Sequence, residues 1–247
     1  MKTNTKSITM RIGFTMLAVL MMFGFNSCKK SDKSSGDNNQ VIIWSPDPVN
    51  GEIPNEVLPE ELHSQVCEYF TLFSGDNPVQ VDGQFVSKPH RLLYTTVEND
   101  TVEIYNDRYI CFVVNHNGGV DFYGKQWDDQ YQKYYEEVFR DLKRVGEGDN
   151  FTCYYLTEAY PDGLYALQST IFSGKWNQSY GGLKDFQVAV VLLETSGNPN
   201  LAPVNSFRIL GDGDGLAADT AWLYGKAPVS GSVTPTDFDP FQMFRVK

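Results

Sequence analysis

The feature that most constrains this chain is a series of short apolar runs separated by turn residues. Asn117-Gly118-Gly119, Pro161-Asp162-Gly163 and Gly181-Gly182 each lie between two such runs. Asn-Gly and Gly-Gly supply the positive φ angles that tight hairpins need. Strands joined by such short links pair antiparallel, and the chain lacks the strand–helix–strand rhythm of a parallel sheet. The pattern therefore predicts a mainly β, antiparallel fold.

The apolar runs define about eight strands. They cover 91–97, 102–105, 108–115, 120–127, 150–158, 164–176, 186–195 and 206–210. Residues 41–44 form a further edge strand or a docked arm. Val188 to Leu193 is apolar without alternation, which indicates that both faces of that strand are covered.

Two helices are predicted among the strands. The first begins at Pro59-Glu60-Glu61, where proline and acidic residues suit a helix N-terminus, and ends near Phe70. The second runs from an N-cap at Asp128 or Asp129 to Val145. We expect it to pack on a barrel mouth or sheet face, or to form a tyrosine-lined lid over a ligand. Its apolar residues recur at spacings of three and four: Tyr131, Tyr134, Tyr135, Val138, Leu142 and Val145.

These elements favour a single antiparallel β-barrel, calycin-like, with two peripheral helices, because most links are hairpin-short. A two-sheet sandwich is the alternative. Residues 41–247 are predicted to form this one β-rich domain, since about 200 residues suffice for a full core. Apolar residues near the end of the chain are expected to dock on it: Phe238, Phe241, Met243, Phe244 and Val246.

The N-terminus has the three parts of an export signal. Lys2, Lys6 and Arg11 precede an apolar run from Ile12 to Phe25. That run lies within the ~7–15 residues of a secretory signal and below the ~20 of a spanning helix. Residues 1–27 are therefore predicted to be a removable signal, with a short signal-anchor helix as the alternative.

The end of that segment, Phe25-Asn26-Ser27-Cys28, resembles the lipobox of bacterial lipoproteins, in which Leu, two small residues and Cys are typical. Phe25 replaces the leucine, and Asn26 is larger than usual. The resemblance implies that Cys28 is acylated and becomes the mature N-terminus. Such lipoproteins carry two or three acyl chains, which anchor firmly to a membrane. Residues 28–40 have no apolar residue after Cys28 and are predicted to be a disordered tether.

Charge limits the partners of the folded domain. Loss of the three basic residues of the signal takes the formal net charge from −11 to −14. Such an acidic domain is not expected to bind nucleic acid or an anionic membrane surface, so contact with the membrane is assigned to the lipid anchor.

The mature chain contains three cysteines besides Cys28: Cys67, Cys111 and Cys153. An odd number cannot form a complete disulfide framework. Each lies in an apolar run, so buried free thiols are expected, with Cys111–Cys153 as the disulfide pair to test.

Gly211-Asp212-Gly213-Asp214-Gly215 is the most conspicuous motif. Alternating carboxylates on a glycine loop suit Ca²⁺, and Asp219 could add a third. An EF-hand register fails, because its bidentate glutamate position would be Ala221. The motif is therefore either a different kind of Ca²⁺ site or a tight turn after a strand. No other cofactor is predicted.

Aromatic residues in the paired strands and in the second helix form the candidate ligand site. Such side chains stack on glycans or line apolar pockets, although core packing explains them equally well. The candidates are Tyr123, Trp127, Tyr131, Tyr154 and Trp176.

Catalytic motifs are absent from the sequence. It contains no Gly-x-Ser-x-Gly elbow, no His-Glu-x-x-His and no P-loop. We therefore expect a non-enzymatic protein, with paired carboxylates in an aromatic cleft, as in glycoside hydrolases, as an alternative.

Two segments, 171–189 and 207–217, resemble uncharacterised envelope lipoproteins of Bacteroidota. Asp100-Thr101-Val102 and Asp219-Thr220-Ala221 also resemble the sites that such bacteria O-glycosylate, which implies glycans on Thr101 and Thr220. The resemblance implies an outer-membrane lipoprotein that faces the periplasm or the cell surface. We expect its β domain to bind a glycan or an apolar small molecule, or alternatively a protein partner.

Overall fold

The computed structural model describes residues 41–115, 119–129, 132–220 and 241–245. The predicted signal, Cys28 and the tether lie outside these ranges. The described residues contain one α-helix, α1 (Glu60–Cys67), and thirteen strands. The strands are β1 Ile42–Trp44, β2 Asp76–Asn77, β3 Gly83–Ser87, β4 His90–Thr95, β5 Ile104–Tyr105, β6 Arg108–Val114, β7 Val120–Asp128, β8 Lys133–Glu147, β9 Asn150–Ala159, β10 Ala166–Trp176, β11 Gly182–Glu194, β12 Phe207–Asp212 and β13 Leu216–Asp219.

Eight of these strands close an antiparallel β-barrel, which confirms the predicted fold class. Around the wall the order is β3, β6, β7, β8, β9, β10, β11 and β13, and β13 pairs back to β3. The strand pairs β9–β10 and β10–β11 form long hydrogen-bonded ladders. Their hairpins turn at the glycine-containing segments from which the turns were predicted. Asp162 and Gly163 both have positive φ, at 57° and 80°.

Further strands lie outside the closed ring. The first residues of β11, Gly182–Lys184, pair with β13, whereas Gln187–Val191 pair with β12. β12 continues into β4 and β5, so the wall branches at β11. Within the ring, β8 pairs with the first half of β9 at Lys143–Val145. The later part of β9 pairs with β1, which lies outside the ring.

Phenylalanine rings fill much of the barrel. Phe122 and Phe172 stack with ring centroids 4.5 Å apart, and Phe112 packs edge-on against both. Each such buried ring stabilises the fold by roughly 1.5–3 kcal/mol through the apolar area it removes from water. The buried interior phenylalanines on the wall strands are Phe85, Phe112, Phe122, Phe139, Phe151, Phe172 and Phe186.

A second core lies between the outer face of the wall and α1. Leu62 and Val66 are one helical turn apart and pack with Ala189 and Val191 of β11. The alternate residue Val190 packs in the interior core. This arrangement confirms that both faces of the unalternating apolar strand are covered.

The helix predicted from residue 128 to Val145 is wrong, because β8 occupies this segment and pairs with β7. The strand contains an irregularity. Val120 pairs with Leu142 but Phe122 pairs with Phe139, so an extra residue bulges out at Asp141, which has a φ of 57°. Leu142 and Val145 of the predicted helical series face the interior core and the outer core respectively, so the series does not form one apolar face.

Candidate functional site

The predicted aromatic ligand site does not form a single surface. Tyr154 is buried under α1 in the outer core, whereas Trp176 packs against the interior core. Tyr123 and Trp127 alternate with the inward-facing residues of β7 and therefore lie on its outer side. Tyr131 lies outside the described residues. The structure thus places the described candidates on different faces of the wall.

The glycine-rich acidic motif forms a turn between β12 and β13. The Asp212 carboxylate accepts hydrogen bonds from the backbone N–H groups of Asp214 and Leu216 through Oδ1, at 3.1 Å each. Its Oδ2 accepts from Lys88 N at 2.9 Å. Within the described ranges no group of three or more His, Cys, Asp or Glu side chains could hold a metal ion, so Asp219 does not join the other two carboxylates in a cluster.

The three described cysteines are free, as expected, but only Cys153 is buried; Cys67 and Cys111 are half-buried, so the expected burial is wrong for these two. Cys153 lies in the interior core, and Cys111 alternates with the inward-facing residues of β6 and points outwards. The two thiols therefore lie on opposite faces of the wall, which argues against the Cys111–Cys153 disulfide. Burial raises the pKa of Cys153 to about 12 and that of Cys111 to about 11, so both are weak nucleophiles.

The predicted glycosylation positions differ in exposure. Thr101 is exposed in the loop between β4 and β5. Thr220 is half-buried after β13, and its backbone N–H donates to Gln84 O at 2.9 Å. The lipidation position, Cys28, lies outside the described residues.

A set of polar side chains inside the barrel is the feature that sequence reasoning missed. Arg108 is two residues before Ile110 on β6, and Glu137 is two residues before Phe139 on β8, so both point inwards. Across this end of the barrel, β4, β9 and β10 add further polar groups. We call the set of His90, Arg108, Glu137, Tyr155, Gln168 and Thr170 the interior polar cluster.

A buried ion pair forms the centre of the cluster. Arg108 Nη2 lies 2.6 Å from Glu137 Oε2, and the two side chains are 8% and 20% exposed. The Glu137 carboxylate lies against Gly124 on the adjacent strand, where a Cβ would come within 2.7 Å of Oε2. Glycine at this position therefore makes room for the ion pair. Both charges are removed from water, which costs several kcal/mol per ion before their attraction is counted.

His90 is fully buried beside this pair. Its Nδ1 lies 3.0 Å from Ser87 Oγ, and Ser87 pairs with Arg108 across β3 and β6. Burial, and secondarily the Arg108 guanidinium, lower the pKa of His90 to about 3. The imidazole is therefore neutral at physiological pH.

Tyr155, Thr170 and Gln168 form the opposite side of the cluster. Tyr155 and Thr170 are paired across β9 and β10, and the Tyr155 ring packs against Phe139 with centroids 4.0 Å apart. Burial, then the nearby Glu137 carboxylate, raise the pKa of Tyr155 well above its ordinary value, so its hydroxyl keeps its proton. Gln168 Nε2 donates to Thr170 Oγ1 at 3.4 Å, which is a long hydrogen bond.

Three buried atoms of the cluster have no hydrogen-bond partner among the described residues. They are His90 Nε2, Arg108 Nε and Gln168 Oε1. Buried polar atoms in folded proteins are nearly always satisfied by protein, ordered water or a ligand. Other unpartnered buried atoms, on Gln84, Tyr154, Ser169 and Ser173, alternate with inward-facing residues and belong to the outer side of the wall. The unpartnered buried atoms on the inner side of the wall, among the described residues, thus all belong to the cluster.

The C-terminal residues docked on the barrel are close to a second buried ion pair. Phe241 and Phe244 are fully buried in the interior core, and Met243 packs against it, as expected from the sequence; Phe238 and Val246 lie outside the described residues. Ala202 N–H donates to Phe244 O at 2.7 Å, and Phe244 N–H donates to Phe241 O at 2.8 Å. The Arg208 guanidinium lies 5.9 Å from the Phe244 ring centroid and pairs with Asp100. Both side chains of that pair are buried, and the aromatic residues help to exclude water from it.

A surface pocket of about 490 Å³ lies outside the barrel beside β2 and β8. Among its charged lining groups, Lys143 pairs with Asp47, Arg144 donates to Val79 O, and the Asp141 carboxylate accepts from Asn115 Nδ2. No described lining residue has a buried side-chain atom without a partner. The pocket therefore offers less unmet polar capacity than the interior polar cluster.

One local signal in the sequence points to the cluster. Arg108 lies on the face of β6 that also carries Ile110 and Phe112, and a charged residue in such an apolar series is rarely buried without a partner.

None of the helices in the described ranges has the length and apolar character that crossing a bilayer requires. Comparison with known proteins gave no relative: no family model, no curated protein and no solved structure matches this chain.

Proposed function

We propose that this protein is a lipid-anchored envelope lipoprotein whose barrel binds a polar small molecule at the interior polar cluster. The N-terminal signal and Cys28 support the anchor, and they suggest an outer-membrane location facing the periplasm or the cell surface. The single observation that carries the ligand proposal is that three buried side-chain atoms of the cluster, on His90, Arg108 and Gln168, have no hydrogen-bond partner among the described residues.

The energetic cost of the cluster favours a binding role. A buried ion pair is often no more stabilising than apolar residues of the same volume, and each unsatisfied buried group costs about 1–3 kcal/mol. A barrel that served packing alone would gain stability from apolar side chains at these positions. A ligand that supplies the missing hydrogen bonds offsets this cost when it binds.

The interior favours a polar ligand over an apolar one. Phe112, Phe122 and Phe172 are in mutual ring contact and occupy the space that an apolar ligand would need. Polar groups are concentrated instead around Arg108. The cluster contains one carboxylate, Glu137, whereas glycoside hydrolysis by its usual route takes two, so binding is favoured over hydrolysis.

Native mass spectrometry of the full chain, extracted in detergent, tests both parts of the proposal. We expect the intact mass to show cleavage before Cys28 and two or three acyl chains, and a Cys28→Ser variant to lack them. We also expect a bound small molecule that is lost in the double variant Arg108→Met/Glu137→Leu, which removes both charges together. Tyr134→Ser, an exposed change on β8, is the control that keeps the ligand.

Separate results would contradict each part. An unlipidated Cys28 removes the anchor. A wild-type protein that carries no small molecule, and that gains none from an envelope extract, leaves the cluster as a hydrated structural element.

A protein partner is the second candidate, and an exposed apolar patch favours it. Leu93, Val102 and Ile104 are 44%, 43% and 58% exposed on β4, β5 and the loop between them. Arg91 pairs with Ile104, so Leu93 and Val102 come next along the same edge. A photo-crosslinking residue at Ile104 tests this in intact cells. A discrete protein adduct that disappears with Leu93→Lys supports a partner, and absence of any adduct rejects it.

A further inference from the structure

We propose that the ligand of the interior polar cluster is uncharged and rich in hydroxyl groups, as a saccharide or polyol is. This inference rests on the proposed function and specifies the class of ligand. It follows from the charge balance of the cluster and from the kinds of atom that lack partners.

The charges inside the cluster already cancel. Arg108 carries one positive charge and Glu137 one negative charge, at 2.6 Å. His90 and Tyr155 are both held neutral by burial. A charged ligand would add an uncompensated charge to a site that is largely shielded from water, which is strongly unfavourable. An uncharged ligand carries no such cost.

The unpartnered atoms need both hydrogen-bond donors and hydrogen-bond acceptors from the ligand. Arg108 Nε can only donate, and Gln168 Oε1 can only accept. His90 Nε2 does either, according to the tautomer that the Ser87 contact selects. A hydroxyl group both donates and accepts, so a ligand with several hydroxyl groups offers a partner to each kind of unpartnered atom.

Charged ligands match this pattern less well. A carboxylate or phosphate offers acceptors alone, so it would leave Gln168 Oε1 unpaired and would lie near the Glu137 carboxylate. An ammonium group offers donors alone and would lie near the Arg108 guanidinium. If the Gln168 amide is rotated, its NH₂ group replaces the acceptor, and a hydroxyl serves that arrangement equally well.

The test compares three sugars that share one ring and differ in charge. Glucose is neutral, glucuronate is anionic and glucosamine is cationic at neutral pH. Binding to the full-length protein in detergent is measured by isothermal titration, alongside identification of any co-purified ligand by mass spectrometry. We expect a neutral co-purified ligand, and glucuronate and glucosamine to bind at least about tenfold more weakly than glucose.

Two variants of β8 separate local charge from overall charge. Glu137→Gln keeps the shape of the side chain but leaves Arg108 uncompensated, so the preference should move from glucose towards glucuronate. Glu136→Gln makes the same chemical change one residue away, on the exposed side of the strand, where Glu136 pairs with Lys125. We expect this control to keep the wild-type order of binding.

Each outcome decides between the two proposals. A charged co-purified ligand, or equal binding of the three sugars, overturns the inference about ligand class and leaves the proposed function standing. Absence of both a co-purified ligand and sugar binding overturns both. A shift of preference in Glu136→Gln equal to that in Glu137→Gln also overturns the inference. Identification of the co-purified ligand needs no variant, so the test holds even if Glu137→Gln does not fold.

Discussion

Protonation of His90 should make the stability of this protein depend on pH. The side chain is fully buried in the interior polar cluster, and its pKa is lowered from 6.5 to about 3, chiefly by burial and further by Arg108. The folded protein therefore resists protonation of His90, whereas the unfolded chain accepts the proton at its ordinary pKa. Between these two values the unfolded state binds more protons, so the free energy of unfolding must fall as the pH falls.

The size of this effect follows from the two pKa values. Well above pH 6.5 the histidine is neutral in both states and contributes no pH dependence. Below that value the loss approaches ~1.4 kcal/mol for each pH unit. Between about pH 7.5 and pH 5 the contribution of His90 alone is a loss of about 2 kcal/mol. That loss is a large fraction of the ~5–15 kcal/mol that stabilises a typical domain.

Urea unfolding of the wild type and of His90→Asn across this pH range measures the contribution. Asparagine is neutral at every pH and is close enough in shape to keep a hydrogen bond to Ser87. We expect the wild type to lose about 2 kcal/mol relative to the variant as the pH falls from about 7.5 to 5. The carboxylates are the same in both proteins, so their contribution to the pH dependence of the free energy of unfolding cancels in this difference. His63→Asn, on the exposed side of α1, is the matched control and should follow the wild type.

The reasoning would be refuted if the difference in free energy of unfolding between the wild type and His90→Asn did not change with pH. It would mean that His90 is protonated equally in the folded and unfolded states, and that the cluster is open to water. The neutral histidine on which the choice of an uncharged ligand depends would then be lost as well.

Three further results are expected. Phe172→Ala should cost about 3–5 kcal/mol in urea unfolding, because the ring lies in the packed interior, and a cost below about 1 kcal/mol would contradict that packing. Glu137→Leu alone should cost about 3 kcal/mol by leaving Arg108 buried without its partner, and adding Arg108→Met should recover most of it, whereas additive losses would contradict a direct pair. Cys153 is fully buried and its pKa is raised to about 12, so it should resist a thiol reagent until the protein unfolds. The half-buried Cys67 should react in the native state. Labelling of Cys153 in the native protein would show an open interior.

The barrel could be predicted because its signals are local. The turn at Pro161–Gly163 and the glycines at 181 and 182 adopt the positive φ angles that their sequence favours, and each joins two long strands. The uninterrupted apolar run of β11 likewise reports burial on both faces. These features depend on neighbours within a few residues, so a single sequence displays them.

The interior polar cluster could not be predicted in the same way, because its members come from four strands of the closed ring, β6, β8, β9 and β10, together with the outer strand β4. Arg108 and Glu137 are far apart in the chain, and their contact depends on the pairing of β6, β7 and β8. His90 and Gln168 carry no sequence pattern that distinguishes them from ordinary strand residues. Aromatic residues were the more visible candidates, but their side of each strand depends on a register that the sequence alone does not specify.

One bulge in β8 decides which of its residues join the interior polar cluster and which join the outer core. Asp141 is held out of register by its own N–H, which donates to Asp121 Oδ1 at 3.0 Å, and by Asn115 Nδ2, which donates to its carboxylate at 3.2 Å. These partners are on β7 and just after β6, so no window along β8 contains the information that specifies the bulge. Because a bulge changes which residues face inwards, Glu137 before it points into the barrel while Val145 after it packs under α1. Glu137 and Val145 are an even number of residues apart, so in a regular strand both would face the interior. The bulge therefore allows one strand to supply both the polar cluster and the outer core.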